Sequence, residues 1–225
     1  MKITQKNRRQ LILRLVQSIA LSNFPDLEEF LDRIEYFLKR GEKSILKSAR
    51  ETITNDLPND VASSLWEDYG GELGQFEETF PRILRYSLFT MLMSITEASI
   101  LTLCEGVRQI FKIEESFDRR KSDVINRGIK YLKKHLHINT SEYSALIGFA
   151  DSLRKFRNCI VHSEGHISSR TEEEEADLRK FIDSTPTLEI NHYEQIVILE
   201  GFIEYSVQNT KLLIQRLLES IGERL

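Results

Sequence analysis

The chain contains few residues that interrupt helices, with ten glycines and four prolines among 225 residues. It has only two cysteines, Cys104 and Cys159, and no paired spacing between them that resembles a zinc or disulfide framework. We therefore expect no structural metal site and no cofactor, and a reducing cytoplasm is the natural location. The net charge of −4 excludes a general polyanion binder. Any contact with nucleic acid has to come from local basic patches.

Apolar residues recur at helical spacing along nearly the whole chain, which predicts an all-α fold. We divide the chain into an N-terminal helical extension, residues 1–75, and a helical bundle, residues 76–225. The predicted helices are 5–21, 25–40, 42–55, a short helix that ends near Tyr69, 79–112 with Thr79 as its N-cap, 118–136, 140–163, the acidic run "TEEEEADLRKFID", and 193–220. The stretch "TPTLEINH", residues 185–192, is the only one with strand-like alternation.

Two segments resemble targeting or membrane sequences. The segment "MKITQKNRRQLILRLVQSIA" is basic and then apolar, but it has no long apolar region, so we expect an amphipathic first helix and no signal peptide. The segment "SLFTMLMSITEASILTLC", residues 87–104, contains Glu97 and six Ser/Thr residues. These polar residues favour a buried core helix over a membrane helix, and we expect no membrane contact.

Positive charge is concentrated in two segments. Residues 117–135 contain seven Lys/Arg and two Asp, a balance of +5, and the first sixteen residues contain five Lys/Arg and no acid. Such runs are often solvated helix faces, but they can also bind a phosphate backbone. The candidate RNA-binding residues are Arg119, Arg120, Lys121, Arg154 and Lys155.

The helix that covers residues 146–162 carries an unusual arginine. On a helical wheel Arg157 falls within the apolar arc, between Leu153 and Ile160. A guanidinium cannot lose its charge, so in that position it requires an acid, a polar interface or a ligand. Glu97 is the only charged residue between Leu88 and Cys104 and is the predicted acid. From spacing alone, a structural ion pair and a functional arginine both remain open.

His162 lies one turn after Asn158 and just before Gly165, a helix-stop residue. A histidine at a helix C-terminus is often a dipole-stabilising group. A histidine near an arginine can also cleave RNA without a metal, because it moves the 2′-hydroxyl proton while the guanidinium binds the phosphate. Arg157 and His162 are about 140° apart around the helix. One copy therefore makes a poor site, whereas two copies related by a two-fold axis can share one cleft.

The sequence "RNCIVH", residues 157–162, resembles the R-x4-6-H motif of the HEPN superfamily (higher eukaryotes and prokaryotes nucleotide-binding). The upstream apolar helix "FPRILRYSLFTMLMSITEASI" also agrees with that family, and the resemblance covers roughly residues 76–220. It implies a HEPN-like helical bundle that acts as a homodimer on RNA. Many members are metal-independent endoribonucleases that serve as toxins or effectors of phage defence, and an antitoxin or defence protein is a further implied partner.

The resemblance also implies roles for individual residues. His162 would transfer the proton of the 2′-hydroxyl, Arg157 would stabilise the pentavalent phosphate, and Asn158 would orient the phosphate or the histidine. The products would carry 2′,3′-cyclic phosphate and 5′-hydroxyl ends. Glu97 is expected to pair with Arg157 and hold it in position without contacting the RNA. This expectation comes from the helical wheel alone.

One position departs from part of the family. Toxins that are paired with a nucleotidyltransferase antitoxin often have a tyrosine two residues after the histidine, and here that position is Glu164. Control by tyrosine modification at that site is therefore not supported. Some members have lost activity, so the alternative is a non-catalytic HEPN-like dimerisation module. Trp66 and Tyr69 are expected to pack the N-terminal extension against the bundle.

Overall fold

The computed structural model describes residues 5–54 and 56–225, and in that part of the chain the predicted all-α fold is confirmed. Two predictions fall partly outside the described residues. Lys2 belongs to the predicted basic patch, and residue 55 belongs to the predicted helix 42–55. The elements are α1 (Gln5–Leu21), α2 (Asn23–Thr52), α3 (Asn59–Gly74), α4 (Phe80–Phe111), α5 (Val124–Leu136), α6 (Ser144–Ser163), α7 (Glu172–Asp183), β1 (Leu188–Ile190), β2 (Ile196–Ile198) and α8 (Phe202–Gly222).

α4 is the central helix, and α1, α2, α5, α6 and α8 all pack against it. It continues from α3 through a π-helical turn, Gln75–Thr79, so that one helix runs from Asn59 to Phe111. The prediction that Thr79 is an N-cap is therefore wrong, because its backbone is helical and its side chain makes no capping bond. The predicted division after residue 75 falls inside this continuous helix, and α1 and α2 contribute to the same core as the bundle.

Aromatic side chains fix how α4 and α6 face each other. The rings of Phe89 and Phe156 meet edge to face at 5.0 Å, and Phe202 of α8 lies against both. Tyr86, one turn before Phe89, approaches Gly165 beyond the end of α6. Since residue numbers fall along α6 as they rise along α4, the two helices are antiparallel, and their register is set at Phe156.

Glycines allow two of the helix contacts on α4 to be close. A side chain at Gly106 would meet Val16 of α1, and a Cβ at Gly128 of α5 would lie 2.1 Å from Ile100. A third glycine, Gly41, explains an error of prediction. Phe76 packs directly on it, so α2 continues where we expected two helices, 25–40 and 42–55. Tertiary packing here outweighs the low helix propensity of glycine.

A short hairpin precedes the last helix. The predicted strand within residues 185–192 is present as β1, which pairs antiparallel with β2 and places Leu188 opposite Ile198. The prediction of a helix from residue 193 is wrong for its first nine positions. The apolar residues Ile196–Ile198 form β2, and α8 begins only at Phe202. Short apolar runs do not distinguish a strand from a helix by periodicity alone.

The described residues contain one nearly buried ion pair that joins three elements. Arg85 of α4 donates to both carboxylate oxygens of Glu35 on α2, at 2.8 and 2.7 Å, and to the carbonyl oxygen of Ile198 on β2 at 2.9 Å. The two side chains are only 12% and 9% exposed. This pair was not predicted, since Glu35 lies in an ordinary amphipathic helix pattern.

The helix Asn59–Phe111 is long and apolar enough to cross a membrane by length and composition, yet half of its most apolar window is buried inside the protein. Core helices of soluble proteins pass the same test. Within residues 87–104 the exposed positions are Ser87, Met91, Ser94 and Ala98, and the others are buried or partly buried.

We expect Arg85→Met to lower the free energy of unfolding by about 3–5 kcal/mol, because Glu35 would remain buried without a counter-charge. The double variant Glu35→Leu/Arg85→Met should recover most of the loss, since it removes both charges together. Urea denaturation followed by circular dichroism measures both. A double variant as unstable as the single one would show that the hydrogen bond to Ile198 carries most of the effect.

Candidate functional site

The candidate site lies where α6 ends. Glu164 adopts a left-handed conformation with φ 51°, Gly165 follows at φ 84°, and the Gly165 N–H bonds back to the carbonyl of Cys159 at 3.2 Å. The hairpin supports this turn, because the Ile196 N–H donates to the Gly165 carbonyl at 3.0 Å. Tyr86 completes the support by donating its hydroxyl to the carbonyl of Ile196 at 2.5 Å. The end of α6 is therefore held by the hairpin directly and by Tyr86 of α4 through the hairpin.

The three motif residues occupy the last two turns of α6. His162 is exposed and makes no hydrogen bond or ion pair with the described residues. Arg157 is half-buried, and its Nη1 donates to Oδ1 of Asn158 at 3.3 Å, while its buried Nε has no partner within the described chain. The imidazole is therefore accessible, and the guanidinium has unused donors.

The predicted pair between Glu97 and Arg157 is wrong, because no hydrogen bond or ion pair joins these side chains. Phe89 of α4 lies at the level of Phe156, and Glu97 is about two turns, roughly 12 Å, farther along α4. Arg157 is half-buried at the edge of the buried arc of α6, with buried Ala150 two turns before it and Val161, 45% exposed, one turn after it.

The other cations of α6 already have acidic partners. Arg154 bonds to Asp151 at 2.9 Å and lies 3.3 Å from Asp123, and Lys155 bonds to Asp177 at 2.6 Å. These carboxylates neutralise the two side chains, which makes both weaker candidates for binding phosphate than the sequence suggested. Within the described chain Arg157 is the one arginine of α6 without an acidic partner.

Cys159 lies inside the motif but is not accessible. Its side chain is fully buried, and its thiol donates to the carbonyl of His166 at 3.6 Å. Burial raises the pKa of the Cys159 thiol, against a smaller lowering by Arg170. A neutral, buried thiol is a packing group and not a nucleophile.

Sequence reasoning missed Tyr86 and Arg170, which hold the site in place. Arg170 donates from Nη2 to the backbone carbonyl of Asn158, so it ties the segment after the turn to the motif helix. An arginine twelve residues beyond Asn158 carries no sequence signal for this contact. It depends on the turn at Gly165 reversing the chain.

The basic segment adjoins the motif helix. Asn126 of α5 donates to Asp151 of α6 at 2.7 Å, which holds the start of α5 beside α6. Arg119, Arg120 and Lys121 precede α5 and are exposed. Arg119 lies 3.9 Å from Glu105 and Lys121 lies 3.8 Å from Asp118, both loose surface contacts worth at most about 1 kcal/mol. The segment therefore remains a candidate phosphate-binding surface.

We predict that Gly165→Ala disturbs the end of α6 more than Gly201→Ala disturbs the start of α8. Both glycines have positive φ, but a Cβ at Gly165 would lie 2.1 Å from the Tyr86 hydroxyl, whereas at Gly201 the nearest atom is 3.6 Å away. The left-handed conformation alone costs about 1–2 kcal/mol for a non-glycine residue. Hydrogen exchange should show that Gly165→Ala deprotects the Ile196 amide and that Gly201→Ala leaves it protected. Equal protection in both variants would contradict this account of the turn.

A comparison of this chain with protein-family models, with curated proteins and with solved structures finds no match in any of the three.

Proposed function

We propose that the protein is a metal-independent endoribonuclease of the HEPN type that acts as a cytoplasmic homodimer. The observation that carries the proposal is the contrast on α6: Arg154 and Lys155 are neutralised by acids, whereas Arg157 has none and lies in the same two turns as the exposed His162. Cleavage of a phosphodiester next to a 2′-hydroxyl needs a group that transfers protons and a cation that stabilises the phosphate. An accessible imidazole and an arginine without an acidic partner are groups of these two kinds.

The chemistry follows from these two groups. A neutral His162 takes the proton from the 2′-hydroxyl, and the 2′-oxygen then attacks the adjacent phosphorus. Arg157 binds the phosphate oxygens as negative charge accumulates on them. The bond from phosphorus to the 5′-oxygen breaks, and that oxygen leaves with a proton from a second, protonated imidazole. The products are a 2′,3′-cyclic phosphate and a 5′-hydroxyl.

The need for a second imidazole supports a homodimer. Exposed residues recur along one face of α4 at Ile83, Ser87, Met91 and Ser94, with Ile83 50% and Met91 43% exposed. The register at Phe89 brings this face to the level of the motif, and Val161 adds an exposed apolar side chain on α6. A second copy on this face would cover the apolar residues and bring two motifs together.

The biological role that fits this activity is that of a bacterial toxin or phage-defence effector, with an antitoxin or defence protein as a further partner. The alternative is a non-catalytic HEPN-like dimerisation module. In that alternative Arg157, Glu97 and Asn158 hold the dimer together. It predicts that Arg157→Ala and Glu97→Ala both loosen the dimer or the fold, whereas His162→Ala does little.

We expect purified protein to cleave total RNA in the presence of EDTA and to leave 2′,3′-cyclic phosphate ends. His162→Ala should lower the cleavage rate about 10²–10⁴-fold, the range for loss of a proton-transfer group. Arg157→Ala should lower it about 10²–10³-fold, because it removes charge stabilisation at the phosphate. Gel electrophoresis with chemical analysis of the cut ends measures both effects.

His137→Asn is the matched control, since His137 is also exposed and asparagine tolerates its positive φ of 50°. It should cleave RNA at the wild-type rate. Equal cleavage by wild type and His162→Ala, or no cleavage by wild type on any RNA, would favour the non-catalytic module.

A further inference from the structure

α3 is a sixteen-residue helix with no fully buried side chain. Only one side of it is half-buried, against α2, where the hydroxyls of Tyr69 and Thr52 lie 3.0 Å apart. Trp66 is 50% exposed and Val61 is 43% exposed, so the expectation that Trp66 packs the extension against the bundle is wrong. Helices in proteins are stabilised mainly by packing of an apolar face, and this helix buries little within its own chain.

The charge of this region is of one sign. Residues 51–81 contain eight acidic and no basic residues. On α3 the acidic side chains are exposed and form no ion pair with the described residues; they are Asp60, Glu67, Asp68 and Glu72. Val61 shares one face of α3 with the uncompensated acids Asp68 and Glu72, whereas Trp66, five residues after Val61, lies about 140° around the helix.

α1 presents the complementary surface. Leu11, Leu15 and Ile19 follow one another at four-residue spacing on one face and are 62%, 60% and 52% exposed. Arg8 continues this face one turn before Leu11, and Arg14 lies to one side of it. Both are exposed and have no acidic partner in the described chain. An apolar strip with two such cations next to it fits an acidic helix face that carries an apolar side chain.

The two surfaces cannot meet within one chain. Val16 of α1 packs on Gly106, and the Ser99 hydroxyl donates to the Ala20 carbonyl, so α1 lies along the C-terminal half of α4. Trp66 is about 40 residues away from Gly106 on the same continuous helix, a distance of roughly 60 Å.

Two antiparallel copies of the long helix would bring them together. If α3 of one copy lies beside the Gly106 region of the other, the two-fold axis passes near residue 86, midway between Trp66 and Gly106. Tyr86 approaches Gly165, three residues after His162. A single axis therefore both pairs α3 with α1 and brings the two motifs together.

We propose that α3 of each chain packs against α1 of the second copy of this chain, with Asp68 and Glu72 near Arg8 and Arg14 and with Val61, which shares their face of α3, on the strip of Leu11, Leu15 and Ile19. This inference rests on the homodimer of the proposed function but not on its catalysis. It gives the N-terminal residues a role, because α1 receives the second copy and α3 reaches it.

Cross-linking between two single-cysteine variants tests the contact in the full chain. Ser64 on α3 and Ser18 on α1 are exposed, and the native Cys104 and Cys159 are buried, so new surface thiols react selectively. In an equal mixture of Ser64→Cys and Ser18→Cys at micromolar concentration, a short bismaleimide should link the two different chains. Each variant alone, or Ser64→Cys mixed with Ser184→Cys just after α7, should give no linked product.

Charge reversal supplies a second, independent readout. Asp68→Lys/Glu72→Lys should raise the dissociation constant of the dimer about tenfold. Asp183→Lys/Glu189→Lys makes the same change of charge at two exposed acids that lie outside α3, and it should leave dimerisation unchanged. Adding Arg8→Glu/Arg14→Glu to the α3 reversal should restore the dimer, because the contact would re-form with inverted signs.

RNA cleavage by the same preparations separates the two proposals. A protein that is dimeric and cleaves RNA, but gives no link between Ser64→Cys and Ser18→Cys, would overturn the α3–α1 contact and leave the ribonuclease standing. Linked product without cleavage would support the contact and contradict the ribonuclease. A strict monomer overturns both. Loss of RNA binding without loss of the dimer in Arg8→Glu/Arg14→Glu would assign α1 to RNA instead.

Discussion

The edge-to-face contact between Phe89 and Phe156 determines where the candidate chemistry lies. It fixes the register of α4 against α6, and Phe202 holds both rings from α8. With that register Tyr86 reaches the turn at Gly165 and the carbonyl of Ile196, so the end of α6 cannot move independently of α4. The motif is consequently built on packed helices and not on a loop, which is the arrangement that keeps a site in fixed geometry.

The same register leaves Arg157 without an acid. Acidic groups neutralise Arg154 and Lys155 on the same helix, and Arg85 elsewhere on α4 is held by Glu35. A half-buried guanidinium with a buried, unpartnered Nε is costly unless it binds something. In the proposed function a phosphate is the partner of this guanidinium, and the accessible His162 lies about one and a half turns farther along α6. This electrostatic imbalance, more than the spacing of the motif, supports the proposed ribonuclease.

Much of the fold was predictable because helical periodicity is strong in α2, α5 and α7 and because long apolar segments without proline or glycine breaks favour α4. The errors arose where packing decides. Gly41 lies inside a helix because Phe76 covers it, and the apolar run at residues 196–198 pairs with β1 in place of extending α8. The motif residues were identifiable from the sequence, but a helical wheel could not establish whether Glu97 and Arg157 pair. A wheel gives the direction of a side chain around its helix and does not give the level at which a neighbouring helix presents its acid.

The central claim is that two copies of the chain form one composite site, and the activity of a mixed dimer tests it most directly. Wild-type and His162→Ala homodimers that carry different tags are mixed, allowed to exchange subunits, and the mixed dimer is isolated by both tags. The proposed mechanism needs two imidazoles in one cleft, so the mixed dimer, which has a single His162, should cleave RNA nearly as slowly as the His162→Ala homodimer. If the mixed dimer keeps about half of the wild-type rate, each chain cleaves by itself and the composite site is contradicted.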